Sequence, residues 1–95
     1  MKAIRKRPGC EPEVIDIDNT LAALQQEVEG YIEVITLPYG AAIICNEEGR
    51  LHGLPYNCCV FGTSFVGTVL IVGTKGEEFC DVSPIDGFVE VLRHG

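Results

Sequence analysis

Residues 31–45 read Tyr31-Ile32-Glu33-Val34-Ile35-Thr36-Leu37-Pro38-Tyr39-Gly40-Ala41-Ala42-Ile43-Ile44-Cys45. The first seven are rich in β-branched and aromatic residues, the side chains that pack well on a pleated surface. Pro38-Tyr39-Gly40 supplies turn chemistry. Ala41–Cys45 then returns as an unbroken apolar run, the mark of a buried strand. Two such runs around a short turn predict an antiparallel hairpin.

Toward the amino terminus, Thr20–Glu29 carries Leu21, Leu24 and Val28 at helical spacing, which predicts a helix. Asp18-Asn19 offers its N-cap, and Gly30 the left-handed residue that closes it. Farther upstream, Lys2–Arg7 predicts a strand stopped by Pro8-Gly9. Charges on both of its faces suit a sheet edge. Glu13–Ile17 predicts a second strand, hairpinned to the first.

Toward the carboxyl terminus, Asn46-Glu47-Glu48-Gly49 is a second tight turn. Arg50–His52 is then expected as a short strand and Gly53–Gly62 as an ordered loop. Phe65–Val72, interrupted only by Gly67-Thr68, is expected as one central strand buried on both faces. Gly73-Thr74-Lys75-Gly76 ends it. Ser83-Pro84-Ile85-Asp86 has the order of a capped helix start, with Ser83 as cap, Pro at the first position and an acid at the third. Ile85, Phe88, Val89 and Leu92 follow at helical spacing, although Gly87 leaves a strand over Phe88–Leu92 as the alternative. The expected fold is α+β, a single domain over residues 1–95. It has an antiparallel sheet of five or six strands and two helices.

At 95 residues, 46% hydrophobic and 22% charged, the chain has an ordinary globular composition and one core's worth of sequence. No apolar run approaches the ~18 residues of a membrane span. The amino-terminal basic segment has no apolar stretch behind it, so it does not read as a signal peptide. A cytoplasmic location is expected. The five cysteines are odd in number and show no disulfide-scaffold spacing, so reduced thiols are expected. Four of the seven basic residues fall in the first seven positions, and from Pro8 onward three bases face fourteen acids. A body of charge −11 repels phosphate backbones, which argues against general nucleic-acid binding.

The chemical motifs fail one by one. Asp16–Thr20 opens like a calcium loop, but Leu21 stands where that loop needs Gly, and Glu27 falls inside a helix. Gly62-Thr63-Ser64-Phe65-Val66 lacks the last glycine of a nucleophile elbow and precedes a strand where the elbow follows one. Gly73–Glu77 lacks phosphate-loop spacing. Cys58-Cys59 are adjacent, which chelates zinc poorly, and His52 is six residues away. No oxyanion hole accompanies a Cys–His pair. Catalytic residues, metal and cofactors are therefore expected to be none.

The richest segment is residues 46–57, which gathers acids, a cation, a histidine, an aromatic and two amides among Gly and Pro breaks. Asn46, Glu47, Arg50, His52, Tyr56 and Asn57 are the candidate ligand-binding residues. Arg50 is one of only three cations outside the amino-terminal strand. It is expected either to pair with Glu47 or Glu48 or to recognise an anion.

Several segments form an ordered series: Lys2-Ala3, Pro8-Gly9, Glu11-Pro12, Gly30–Val34, Cys45–Gly49, Gly53-Leu54-Pro55 with Asn57, Gly67-Thr68 and Val72-Gly73. Together they resemble a small domain-of-unknown-function family found in bacteriophages, prophages and Firmicutes. Asn46-Glu47-Glu48-Gly49…Gly53-Leu54-Pro55-x-Asn57 is the most specific part. The resemblance implies an intracellular accessory protein of a phage or mobile element, without an established activity.

The expected function is a non-enzymatic binding protein. Its most concrete form is a counter-defence protein that sequesters a small nucleotide immune signal. The alternatives are an acidic protein-directed inhibitor or DNA mimic, and a small nucleotide-processing enzyme. The expected partners are a small nucleotide or a host protein. The thin core and the apolar Phe61–Val72 stretch also point to a homodimer or higher homo-oligomer.

Overall fold

The computed structural model describes all 95 residues. Eight strands and two helices follow in the order β1 (Lys2–Lys6), β2 (Glu13–Asp16), α1 (Leu21–Val28), β3 (Ile32–Leu37), β4 (Ala41–Asn46), β5 (Tyr56–Val60), β6 (Thr63–Val66), β7 (Val69–Lys75), β8 (Glu78–Cys80) and α2 (Ile85–His94). The main sheet runs β2-β1-β7-β4-β3, with β8 continuing from β7. β5 and β6 form a separate two-stranded ribbon. Every pairing is antiparallel. The α+β class and the six-stranded sheet agree with the sequence reading.

β4 and β7 are the centre. Their runs are apolar at nearly every position because each face of the sheet carries a core. Ala41, Ile43 and Cys45 of β4 with Val69 and Ile71 of β7 join one cluster, which α2 seals with Phe88 and Leu92 and the β5–β6 ribbon with Cys58, Val60 and Phe65. The alternate residues Ala42, Ile44, Leu70 and Val72 join the other, under Leu24 and Val28 of α1. The period of two thus sends successive side chains into two different cores.

β1 is not an edge strand. It lies between β2 and β7, and Ala3 and Ile4 are fully buried. Its charges are accommodated one at a time. Arg5 reaches Glu27 of α1 and Glu13 of β2, and both partners hold its guanidinium pKa up. Lys6 is buried on the opposite face, where its Nζ donates to Asn57 Oδ1 at 2.8 Å.

Other elements also differ from expectation. Residues 50–52 form a turn, with His52 N–H donating to Glu48 O and Gly53 N–H to Arg50 O. The expected loop 53–62 contains β5. The apolar run 65–72 is two strands, because Gly67 takes φ +72° and lies against Leu54, whose Cδ1 would be 2.7 Å from an added Cβ. Thr20, rather than Asp18 or Asn19, caps α1 by accepting from Ala23 N–H. Glu29, rather than Gly30, takes the left-handed conformation at φ 62°. α2 forms as a helix, but its N-cap is Pro84 and there is no side-chain cap bond.

Candidate functional site

Asn46 ends β4 and fixes the turn that follows. Its Nδ2 donates to Val28 O at 3.0 Å and Glu29 O at 3.3 Å, and its Oδ1 accepts from Glu48 N–H at 2.8 Å. The side chain therefore ties the end of α1 to the turn. Gly30 permits this approach, since a Cβ there would sit 2.7 Å from Asn46 Nδ2. The loop closes on its own backbone: Gly49 N–H donates to Asn46 O, Leu54 N–H to Gly49 O, and Gly67 N–H to Pro55 O.

Asn57 does the same work at the other end of the loop. Its Nδ2 donates to Lys6 O and Gly67 O, both at 2.7 Å, and its Oδ1 takes the Lys6 ammonium. Both asparagines are buried, and the hydrogen-bonding groups of both side chains are engaged within the protein. They are braces for the loop and have no amide free for a ligand.

Beside the Asn46 end of the loop lies a cleft of about 310 Å³. Glu33 and Ile35 of β3, Cys45 of β4, Glu47, Glu48 and Arg50 of the loop and Ser64 of β6 contribute to its walls. Arg50 pairs with neither Glu47 nor Glu48; its Nη2 donates to Ser64 O at 3.0 Å. Every other arginine is engaged by carboxylates: Arg5 by Glu13 and Glu27, Arg7 by Glu13, Arg93 by Glu11 and Glu90. Arg50 keeps the rest of its planar fork free on an exposed side chain.

The Cys45 thiol is pushed up to about 11, first by burial and then by the neighbouring Glu33 carboxylate, with Arg50 pulling weakly the other way. Burial also raises Cys58, against the opposing pull of Lys6. Both are protonated thiols at neutral pH and poor nucleophiles. No group of three or more His, Cys, Asp or Glu side chains is gathered to hold a metal ion. No helix is long and apolar enough to cross a membrane.

Of the six residues singled out from sequence, Asn46, Glu47 and Arg50 meet at this cleft. His52 lines a second hollow of about 280 Å³ with Gln25, Gly30, Tyr31 and Glu48, reached by Asn46 as well. Tyr56 is exposed on β5, and neither it nor Asn57 lines either hollow.

A family model described as a domain of unknown function, DUF3846, matches residues 1–93. The chain belongs to this family. No curated protein and no solved structure matches it. In this DUF3846 domain the polar cleft residues outside the six predicted ones include Glu33, Cys45, Glu48 and Ser64. Glu33, Cys45 and Ser64 arrive from three different strands, and Glu48 from the turn. The one local signal was Glu33, an acid set into a largely apolar strand.

Proposed function

We propose that this chain is a non-enzymatic binding protein of a phage or other mobile element. In this reading it acts in the host cytoplasm and holds a small nucleotide in the cleft beside Arg50. One observation carries the reading: Arg50 is the only arginine with no carboxylate partner, and it stands in a cleft at the small end of the range for ligand sites. A planar guanidinium anchored by one bond to a backbone carbonyl is oriented to take a phosphate with its remaining donors. Glu33, Glu47 and Glu48 add three acceptors on the same walls. The ligand that fits carries an anionic group together with amino donors, as a nucleotide with an exocyclic amine does. The protonated thiols of Cys45 and Cys58 favour binding over nucleophilic chemistry. Sequestration of a nucleotide immune signal is the role consistent with stoichiometric binding.

The test is mass spectrometry of small molecules carried by the native protein, followed by calorimetry with the ligand found. Arg50→Ala is expected to keep the fold and lower affinity roughly ten- to hundred-fold, the loss of one charge-assisted contact. Equal affinity in the variant, or no nucleotide bound by the wild type, overturns the proposal. An acidic, protein-directed role is the second reading, favoured by the open edge of β3 beside these same carboxylates.

A further inference from the structure

β3 forms one margin of the main sheet, and only β4 pairs with it. Tyr31 O accepts from Glu47 N–H, and the register continues Ile32↔Asn46 through Leu37↔Ala41 without a bulge. In an antiparallel ladder the paired residues alternate. Residues 31, 33, 35 and 37 therefore bond to β4, while Ile32, Val34 and Thr36 direct their N–H and C=O groups outward. Nothing in the chain meets these three donors and three acceptors. Its only edge protection is the charge of Glu33: it has no lysine, proline or bulge, and Val34 is 44% exposed.

We propose that this edge is an interaction surface that takes an extended segment of a partner protein as an added antiparallel strand, and that the segment alternates basic and apolar residues. The alternation follows from the two faces of β3. Cross-strand neighbours share a face. A partner side chain opposite Glu33 shares a face with that exposed carboxylate, on the edge strand itself. That position selects lysine or arginine. A partner side chain opposite Ile32 or Val34 projects toward the α1 side, against half-buried Ile32 and exposed Val34. That position selects an apolar residue. Main-chain bonds supply affinity and the alternate side chains supply specificity.

A second copy of the chain fits less well. β3 itself has no basic residue to set beside Glu33, and each copy carries net charge −7. The opposite margin, β2, is no equivalent, because it is four residues long and its Glu13 is already held by Arg5 and Arg7.

The experiment uses the full chain labelled with ¹⁵N and two capped synthetic octapeptides, one alternating Lys and Val and the other Glu and Val. The Lys–Val peptide is expected to slow hydrogen exchange at the amides of Ile32, Val34 and Thr36, and the Glu–Val peptide to leave them unchanged. Val34→Pro removes an outward donor but no bond to β4, a position where an edge strand tolerates proline. It is expected to weaken Lys–Val binding about tenfold, the effect of a lost hydrogen bond plus the steric block. Glu33→Lys is expected to weaken Lys–Val binding as well, and it carries the test if the proline variant fails to fold. No slowing, equal slowing by both peptides, or unchanged binding by both variants overturns the proposal. So does slowing that follows chain concentration without peptide, which would make a second copy the occupant.

Discussion

Asn57→Ala should be among the most destabilising single substitutions in the loop region, and the structure allows its size to be worked out. Three short bonds disappear: two donated to Lys6 O and Gly67 O at 2.7 Å, and one accepted from Lys6 Nζ at 2.8 Å. Each backbone carbonyl deprived of a buried donor costs about 1 kcal/mol, and the lysine contact about 1.5–3 kcal/mol. The lysine has no carboxylate to fall back on, only Asn57 O at 3.5 Å, which the alanine variant retains. The total is about 3.5–5 kcal/mol, a large part of the roughly 5–15 kcal/mol that stabilises a domain of this kind. Urea unfolding followed by circular dichroism measures the loss as a fall in midpoint with an unchanged slope. The mechanism makes a sharper demand through Lys6→Met, which removes the group that Asn57 satisfies. In the double variant the lysine contribution is counted once, so its total should fall short of the summed single effects by about 1.5–3 kcal/mol. Additivity within about 0.5 kcal/mol, or a silent Asn57→Ala, would refute the account of Asn57 as the brace of β1 against the β5–β6 ribbon.

The two helix starts make opposite predictions. Thr20→Ala should cost about 1 kcal/mol, because the Thr20 hydroxyl accepts from Ala23 N–H. Ser83→Ala should stay within about 0.5 kcal/mol, because no side-chain bond caps α2. Both are read by urea midpoints. Alkali should also destabilise the fold through Cys45. Its folded pKa is raised from an ordinary 9.0 to about 11, so its contribution is complete below pH 9. That contribution is lost as pH climbs toward 11, where the unfolded chain gains from ionising first. Cys45→Val should flatten that part of the pH–stability curve, and an unchanged slope would count against burial as the cause.

The fold was legible where local chemistry and tertiary context agree. Residues 31–45 combine β-branched residues, a turn tripeptide and an apolar return, and the hairpin Ile32–Asn46 formed accordingly. The reading failed where a distant residue changes the meaning of a local one. Lys6 and Arg5 looked like charges that need solvent, yet Asn57 lies 51 residues from the first and Glu27 lies 22 from the second. No local window contains those partners, so an interior strand looked like an edge. Phe65–Val72 failed for a different reason. Its apolar residues belong to two strands in different sheets, and only the backbone turn at Gly67 separates them. β5 escaped notice because Asn57 interrupts its apolar pattern at a buried position, where the polar group is satisfied by partners from β1 and the turn after β6.

The same distinction governs the candidate site. Glu47 and Arg50 came together at the cleft because the turn that carries them is closed by its own short-range bonds. Asn46 and Asn57 were expected to read a ligand, since exposed amides often do, but burial gives them another task. They clamp the two ends of the loop, one to the carboxyl end of α1 and the other to β1 and Gly67. Loop 46–57 is consequently presented on a backbone fixed at both margins, and Arg50 projects from it with only one bond, to Ser64 O. A ligand that enlists Arg50 therefore needs little reordering of the main chain, and the entropic cost of binding falls mainly on one side chain. Substitution at either asparagine is expected to disturb the loop and the fold together, whereas Arg50 is exposed and held by a single bond, so its substitution is expected to leave the fold intact. If the proposed binding role holds, Arg50 is the position where an effect on binding would separate from one on stability.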